Sequence, residues 1–165
     1  MKKSILSLTL LLVVATVTNA APRFGLIAEQ EKGAGVFVTD DMYNAQLSVG
    51  NTTQDLGSTE RVSATKIAIG GNYKIALDSV TALTAGLNFE TLTGDKYDGS
   101  DLNDNSRIAI SVGFERALSS NLVLTTQADL FATQTIKDYT NSTGTNDLET
   151  TAIFSNGRVG VAYLF

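Results

Sequence analysis

Residues 65–77, TKIAIGGNYKIAL, decide the fold class of this 165-residue chain. Their odd-numbered positions are mostly large and apolar, whereas their even-numbered positions are small or polar. This period of two is typical of a β-strand whose two faces meet different surroundings, because a helix would repeat every 3.6 residues. The same sorting recurs in residues 81–92 and 107–116. The sequence therefore predicts an all-β protein.

Turn-forming residues divide the chain into about eight segments. We predict strands at residues 23–29, 35–40, 43–53, 64–77, 80–93, 106–118, 121–137 and 149–165. The connections between them alternate between two kinds. Three are short turns, at residues 41–42, 78–79 and 119–120. The connections between them in sequence would lie at the opposite end of the strands, and these are residues 30–34, 54–63, 94–105 and 138–148. An even number of strands with this alternation is typical of an antiparallel up-and-down β-barrel with both termini on the short-turn side.

The first twenty residues have the features of a secretory signal peptide. Lys2 and Lys3 precede an apolar stretch at residues 5–17, and Ala20 supplies the small residue of a cleavage site. The alternative, a membrane anchor, would need a longer apolar stretch of about 20 residues. We therefore predict a signal peptide at residues 1–20 and one barrel domain at residues 21–165.

The composition excludes several classes of function. The sequence has no Cys and no His, so disulfides, Cys/His zinc sites and Cys or His catalytic centres are impossible. The net charge of -5 and the absence of a basic cluster argue against a nucleic-acid partner. We predict no catalytic residue, no metal site and no cofactor.

The polarity of the two strand faces separates a membrane barrel from a soluble one. The interior of an eight-stranded barrel only just fits side chains, so the small and polar positions suit the inside. The large apolar positions must then face outward, toward lipid, and strands of about ten residues are long enough to cross a membrane at a tilt. We therefore predict a transmembrane β-barrel.

The predicted last strand carries the most specific motif. Val159, Val161, Tyr163 and Phe165 occupy alternate positions and end in an aromatic residue. At these residues the sequence resembles the bacterial outer-membrane β-barrels, and its size and strand number resemble the small, eight-stranded OmpA/OmpX-type members. The resemblance implies a place in the outer membrane of a Gram-negative bacterium, with both termini periplasmic. It also implies that the barrel-assembly machinery reads these four residues as an assembly signal.

The inward positions predict a network of charges in the lumen. In this register four acidic and four basic side chains face inward: Glu29, Lys66, Lys74, Glu90, Arg107, Glu115, Asp129 and Arg158. We expect Asp129 and Arg158 to pair at mid-lumen. We expect Glu90 to meet Arg107 or Lys66 nearer the loop side. Such pairs would plug the lumen, as a structural network or as a gate.

The long loops carry the remaining functional signals. Four aspartates recur every third residue, at Asp95, Asp98, Asp101 and Asp104, but the stretch lacks the Gly and Glu of an EF-hand loop. We therefore predict a solvated acidic loop. Acidic side chains on this surface can share divalent cations with lipopolysaccharide phosphates, so we expect outer-membrane lipid and lipopolysaccharide as partners. A host or surface ligand would bind at loops 54–63, 94–105 and 138–148.

Two functions stay open at this point. The first is a non-enzymatic barrel with a plugged lumen, serving envelope structure and adhesion or host contact through its loops. The second is a narrow, porin-like channel for ions or small solutes. A lipid-modifying enzyme is disfavoured. What is known of the outer-membrane barrels of this size that modify lipid implies an essential His, and this sequence has none. Ser111 and Glu115, the remaining candidate pair, would face the lumen, away from a lipid substrate.

Overall fold

A computed structural model describes residues 21–30, 32–55, 61–94, 105–141 and 144–165. Its strands form one closed barrel in sequence order, with every neighbouring pair antiparallel and β1 paired to β8. They are β1 Arg23–Glu29, β2 Gly33–Thr39, β3 Tyr43–Asp55, β4 Arg61–Ala76, β5 Thr81–Gly94, β6 Asn105–Ala117, β7 Leu122–Asn141 and β8 Gly144–Leu164. The predicted all-β class, the strand number and the up-and-down order are confirmed. The described ranges contain no helix of the length and apolarity that a membrane span requires.

Several predicted segments lie outside the described residues. The predicted signal peptide at residues 1–20 is one of them. Residues 56–60 and 95–104 are two others, and the second holds all four regularly spaced aspartates.

The prediction of a loop at residues 138–148 is wrong for most of its length. β7 continues to Asn141 and β8 begins at Gly144, and the two strands pair as far as Asn141↔Gly144. The segment is rich in Asn, Asp, Gly and Thr, which favour turns. Antiparallel pairing with a long neighbouring strand outweighs that preference, because strand propensity depends strongly on context.

Side chains alternate across the wall as the sequence predicts. Large apolar side chains are exposed on the outside, among them Leu26, Ile75, Leu87, Ile108, Ile110, Phe114, Val159 and Val161. Small and polar side chains are buried inside, among them Ala68, Asn72, Thr84, Asn88, Ala109 and Ser111. The predicted assignment of the two faces is therefore confirmed.

One part of the interior differs from the predicted polar lumen. At the short-turn end, five apolar side chains form a buried cluster: Ile27, Phe37, Val123, Ala162 and Leu164. A Cβ atom on Gly25 would lie 2.9 Å from Leu164 Cδ2, so the glycine leaves the space that this leucine fills. The predicted charge network does not extend to this cluster, because β1, β2, β7 and β8 bring apolar inward positions together.

The wall of the barrel is uneven in height. β1 and β2 have seven residues each, whereas β7 has 20 and β8 has 21. β1 pairs with β8 only from Gly25↔Leu164 to Glu29↔Gly160. Within the described ranges, β8 from Gly144 to Gly157 therefore pairs with β7 alone. The β1–β2 turn consequently lies at the level of the mid-lumen, far below the Asn141↔Gly144 pair where the described part of the β7–β8 hairpin ends.

Candidate functional site

Ion pairs cross the middle of the lumen. Arg158 donates a hydrogen bond of 2.6 Å to Asp129 Oδ1 and one of 3.3 Å to Glu90 Oε1. Arg107 donates to the other carboxylate oxygen of Asp129 and lies 3.7 Å from Glu90 Oε1. Asp129 is fully buried and Arg158 is 2% exposed. Two arginines thus share one buried carboxylate, and charge-assisted contacts of this kind hold side chains in a fixed geometry.

The strand register places these groups together. Glu90 of β5 lies directly opposite Arg107 of β6, and Gln127 of β7 lies opposite Arg158 of β8. The pairing of β7 shifts on both sides just at Asp129, which lies opposite Ser111 on one side and Ser155 on the other. Because both of these neighbours are small, the two arginine side chains have room to reach the carboxylate.

Lys32 joins the network from the β1–β2 turn and was not among the predicted lumen residues. Its Nζ atom donates to Asn88 Oδ1 at 2.8 Å and lies 3.8 Å from both Glu29 Oε2 and Glu90 Oε1. The side chain is completely buried. Lys32 lies in the predicted connection 30–34, where a solvated lysine is the ordinary expectation.

Two glycines in the sequence permit the burial of Lys32. Gly33 has a φ of +85°, and a Cβ atom on Gly50 would lie 2.8 Å from the Lys32 carbonyl oxygen. Glycines at these two positions allow the turn to pack closely against β3, which holds Lys32 at the level of the network. The spacing of the glycines alone does not show which strand they approach.

A second charged group lies at the short-turn end and is complete in itself. Lys74 Nζ lies 2.5 Å from Glu115 Oε1 and donates to the Asp40 carbonyl oxygen at 2.6 Å. Glu115 also accepts hydrogen bonds from Thr39 at 3.1 Å and from Asn44 at 2.6 Å. Every charge in this group therefore has a close partner of opposite sign or a neutral hydrogen-bonding partner.

The structure places the eight predicted lumen residues in two groups. Lys74 and Glu115 form the short-turn pair, while six meet near mid-lumen: Glu29, Lys66, Glu90, Arg107, Asp129 and Arg158. Asp129 and Arg158 are in direct contact. Glu90 lies 3.7 Å from both Lys66 and Arg107.

A pocket of about 150 Å³ lies on the loop side of the mid-lumen network. Leu92 contributes an apolar wall, and the other lining side chains are polar or charged: Lys66, Glu90, Asn105, Arg107, Gln134 and Asn156. Gln134 Nε2 donates to Asn105 Oδ1 at 3.0 Å. Arg107 Nη1 is buried and has no hydrogen-bond partner among the described residues.

Ser111 and Glu115, the remaining candidate pair for an enzyme site, do not have a catalytic geometry. Ser111 Oγ accepts a hydrogen bond of 2.5 Å from Asn88 Nδ2 and is fully buried. Glu115 is bound to Lys74, Thr39 and Asn44. The two side chains thus belong to different clusters. Among the described residues, no group of three or more acidic side chains is arranged to hold a metal ion.

The predicted assembly motif lies on the outside of β8. Val159, Val161, Tyr163 and Phe165 are all exposed, and the rings of the last two lie 6.3 Å apart. The Phe165 backbone N–H donates to the Phe24 carbonyl oxygen at 3.0 Å, which brings both ends of the barrel domain together on the short-turn side.

Comparison with known proteins gives structural similarity alone. No protein-family model matches the sequence, and no curated protein matches it. A major outer membrane protein from Thermus thermophilus is 16% identical, with a TM-score of 0.42, over 88% of this chain and 100% of that one. Acinetobacter baumannii CarO is 11% identical, with a TM-score of 0.39, over 87% of this chain and 97% of that one. Neither comparison carries a function over to this chain.

Proposed function

We propose that this protein is a non-enzymatic outer-membrane β-barrel with a closed lumen, which serves envelope structure and presents its long hairpins at the cell surface. The exterior supports a place in lipid. Leu87 is 60% exposed and Ile108 is 57% exposed, and similar side chains surround the barrel. A continuous apolar surface of this kind is unfavourable in water and suits hydrocarbon. Ring closure also pairs the strand edges, as a bilayer requires.

The single observation that carries the closed lumen is the buried contact between Asp129 and Arg158. A conducting bore would keep such charges in contact with water, whereas these two side chains are almost completely buried. Lys32 fills the lumen beside them, and the apolar cluster with Phe37 and Leu164 follows toward the short-turn end. Two barriers of different chemistry thus lie in series along the axis.

The long β7–β8 hairpin supports the surface role. Its strands have 20 and 21 residues, whereas about 9–11 residues cross a bilayer. The extra length lies on the side opposite the two termini, and its described exposed residues include Glu149, Thr150 and Thr151. In this proposal that side is extracellular, both termini are periplasmic, and lipopolysaccharide or a surface ligand contacts the hairpin tips. The barrel-assembly machinery contacts the exposed face of β8.

The test is conductance of residues 21–165 refolded into a planar bilayer, with folding checked by heat-dependent gel mobility. We expect no steady openings from the folded wild type. A stable unitary conductance would overturn the closed lumen and favour the narrow channel. The surface role has its own test, in which cells carrying the full chain are treated with an external protease. Cleavage within residues 137–147 is expected, and cleavage confined to the short turns would reverse the orientation.

A further inference from the structure

The charges of the described residues inside the barrel do not balance. Among the residues that the structure describes, the interior holds four carboxylates and five cations, because Lys32 adds to the eight residues that the sequence predicts. Lys74 and Glu115 neutralise each other at the short-turn end. Three carboxylates therefore face four cations at mid-lumen: Glu29, Glu90 and Asp129 against Lys32, Lys66, Arg107 and Arg158. Among the described residues, one positive charge is left over.

The contacts show where the extra charge lies. Arg158 has a hydrogen bond of 2.6 Å to Asp129, and Lys32 has one of 2.8 Å to Asn88. Lys66 Nζ, in contrast, is 3.7 Å from Glu90 Oε2, which is too long for a hydrogen bond. Arg107 Nη1 and Arg158 Nε are both buried without a hydrogen-bond partner among the described residues. Of the two arginines, only Arg107 lines a pocket, and Lys66 lines the same one.

An unpaired buried donor commonly marks a missing water or ion. Water could satisfy the hydrogen bonds of this pocket and partly solvate Lys66, whose side chain is 19% exposed, but it would not neutralise the extra positive charge. An anion does both. Nη1 of Arg107 is the charged donor left for an oxygen of a carboxylate or phosphate group, because Nη2 is bound to Asp129 and Ser155. The amides of Asn105, Gln134 and Asn156 add polar contacts around it, and the Glu90 carboxylate also lines the pocket.

We propose that this pocket binds a small oxyanion, a carboxylate or a phosphate group, between Lys66 and Arg107. The pocket volume of about 150 Å³ admits a group of this size. Two sources have this chemistry, a free anion that enters from the loop side and the headgroup phosphate of lipopolysaccharide. The proposal does not depend on whether the lumen conducts, so its test is separate from the conductance experiment.

The first test is calorimetric titration of inorganic phosphate and of acetate into residues 21–165, refolded in a neutral detergent free of lipopolysaccharide. We expect saturable binding of one equivalent. Lys66→Gln removes the extra positive charge, while Lys66 forms no hydrogen bond to Glu90 that the change would break. It should weaken binding about tenfold or more, as expected for the loss of a charged contact.

The matched control is Arg116→Gln, which removes the same charge from an exposed side chain on β6. It should change the affinity by less than about twofold, because distant exposed charges are screened. Absence of saturable binding to the wild type, or equal affinity in Lys66→Gln, overturns the proposal. Added lipopolysaccharide then separates the sources, since it displaces phosphate only if its headgroup occupies the pocket.

A second variant tests the charge argument by adding a negative charge to the pocket, whereas Lys66→Gln removes a positive one. Asn156 lines the pocket with a φ of +46°, a conformation that Asp also tolerates. Asn156→Asp therefore places a carboxylate of nearly the same shape in the pocket. We expect phosphate binding to be lost and the thermal unfolding temperature in phosphate-free buffer to rise. A lower unfolding temperature together with unchanged phosphate binding would show that the pocket has no unmet positive charge.

Discussion

Two regions of the lumen are filled by side chains of different chemistry, although the same strands form both. At the short-turn end, five apolar side chains pack together, and the neighbouring Lys74–Glu115 pair is internally complete. Toward the loop side, charged groups replace apolar ones, and among the described residues one cation has no counter-charge. An apolar layer excludes water by itself, whereas a buried charge is costly unless it is paired.

The largest expected effect comes from breaking the charged closure at its centre. Asp129→Asn leaves Arg107 and Arg158 facing each other without the carboxylate that they share. Loss of one partner of a buried ion pair typically costs about 3–5 kcal/mol. We expect a loss of this size in the free energy of unfolding, measured by urea titration in micelles with circular dichroism.

Glu149→Gln is the control for Asp129→Asn, because Glu149 is an exposed carboxylate on β8. Its free energy of unfolding should stay within about 0.5 kcal/mol of the wild type. A loss below about 1 kcal/mol in Asp129→Asn would mean that the network does not depend on this carboxylate.

The apolar closure is tested by Leu164→Ala, which opens a cavity in the cluster against Ile27 and Phe37. Deletion of a buried leucine side chain costs about 2–5 kcal/mol. The loss should be the same at low and high salt, because it involves no charge. Leu26→Ala, on the exposed outer face of β1, should cost less. A smaller loss for Leu164 than for Leu26 would contradict the assignment of the inner face.

A pair of lysine variants compares the two ends directly. Lys74→Gln breaks charged hydrogen bonds to Glu115 and to the Asp40 carbonyl oxygen, so we expect a loss of about 1.5–3 kcal/mol. Lys66→Gln should leave the free energy of unfolding unchanged or raise it in phosphate-free buffer, because it removes the extra positive charge and its contact with Glu90 is long and partly solvated. Equal losses of unfolding free energy in the two variants would contradict the distinction between the paired Lys74 and the incompletely paired Lys66.

The smallest effect concerns the short turn outside the lumen. Asp78 accepts backbone hydrogen bonds from Val80 at 2.8 Å and Thr81 at 2.7 Å, and these lower the pKa of its carboxyl group. The stabilisation is therefore present above the unfolded-state pKa and is lost as the pH falls through the lower folded-state value. Asp78→Asn should lower the unfolding temperature slightly at pH 6 and progressively less as the pH falls below 3.8. A difference that grows on acidification would contradict this sign.

Much of the lumen could be predicted because side-chain direction in a strand follows from local parity. Lys66 and Lys74 share a face with Ala68 and Asn72 whatever strand lies beside them, and the buried positions follow this order. Lys32 could not be predicted in the same way. Its burial depends on the short β1 and β2 strands and on the approach of the β1–β2 turn to β3 and β5. These are contacts between residues far apart in the sequence.

The sequence by itself determined the all-β class, the eight strands, the inner and outer faces and the identity of most lumen charges. Only the tertiary structure decided which charges meet, where the apolar cluster lies, that β7 and β8 extend through residues 138–141 and 144–148, and that the described part of the interior carries one extra positive charge. The physical reason is the range of the interactions. A period of two is set by neighbouring residues, whereas the balance of charge across a lumen depends on the register of eight strands and the height of the wall between them.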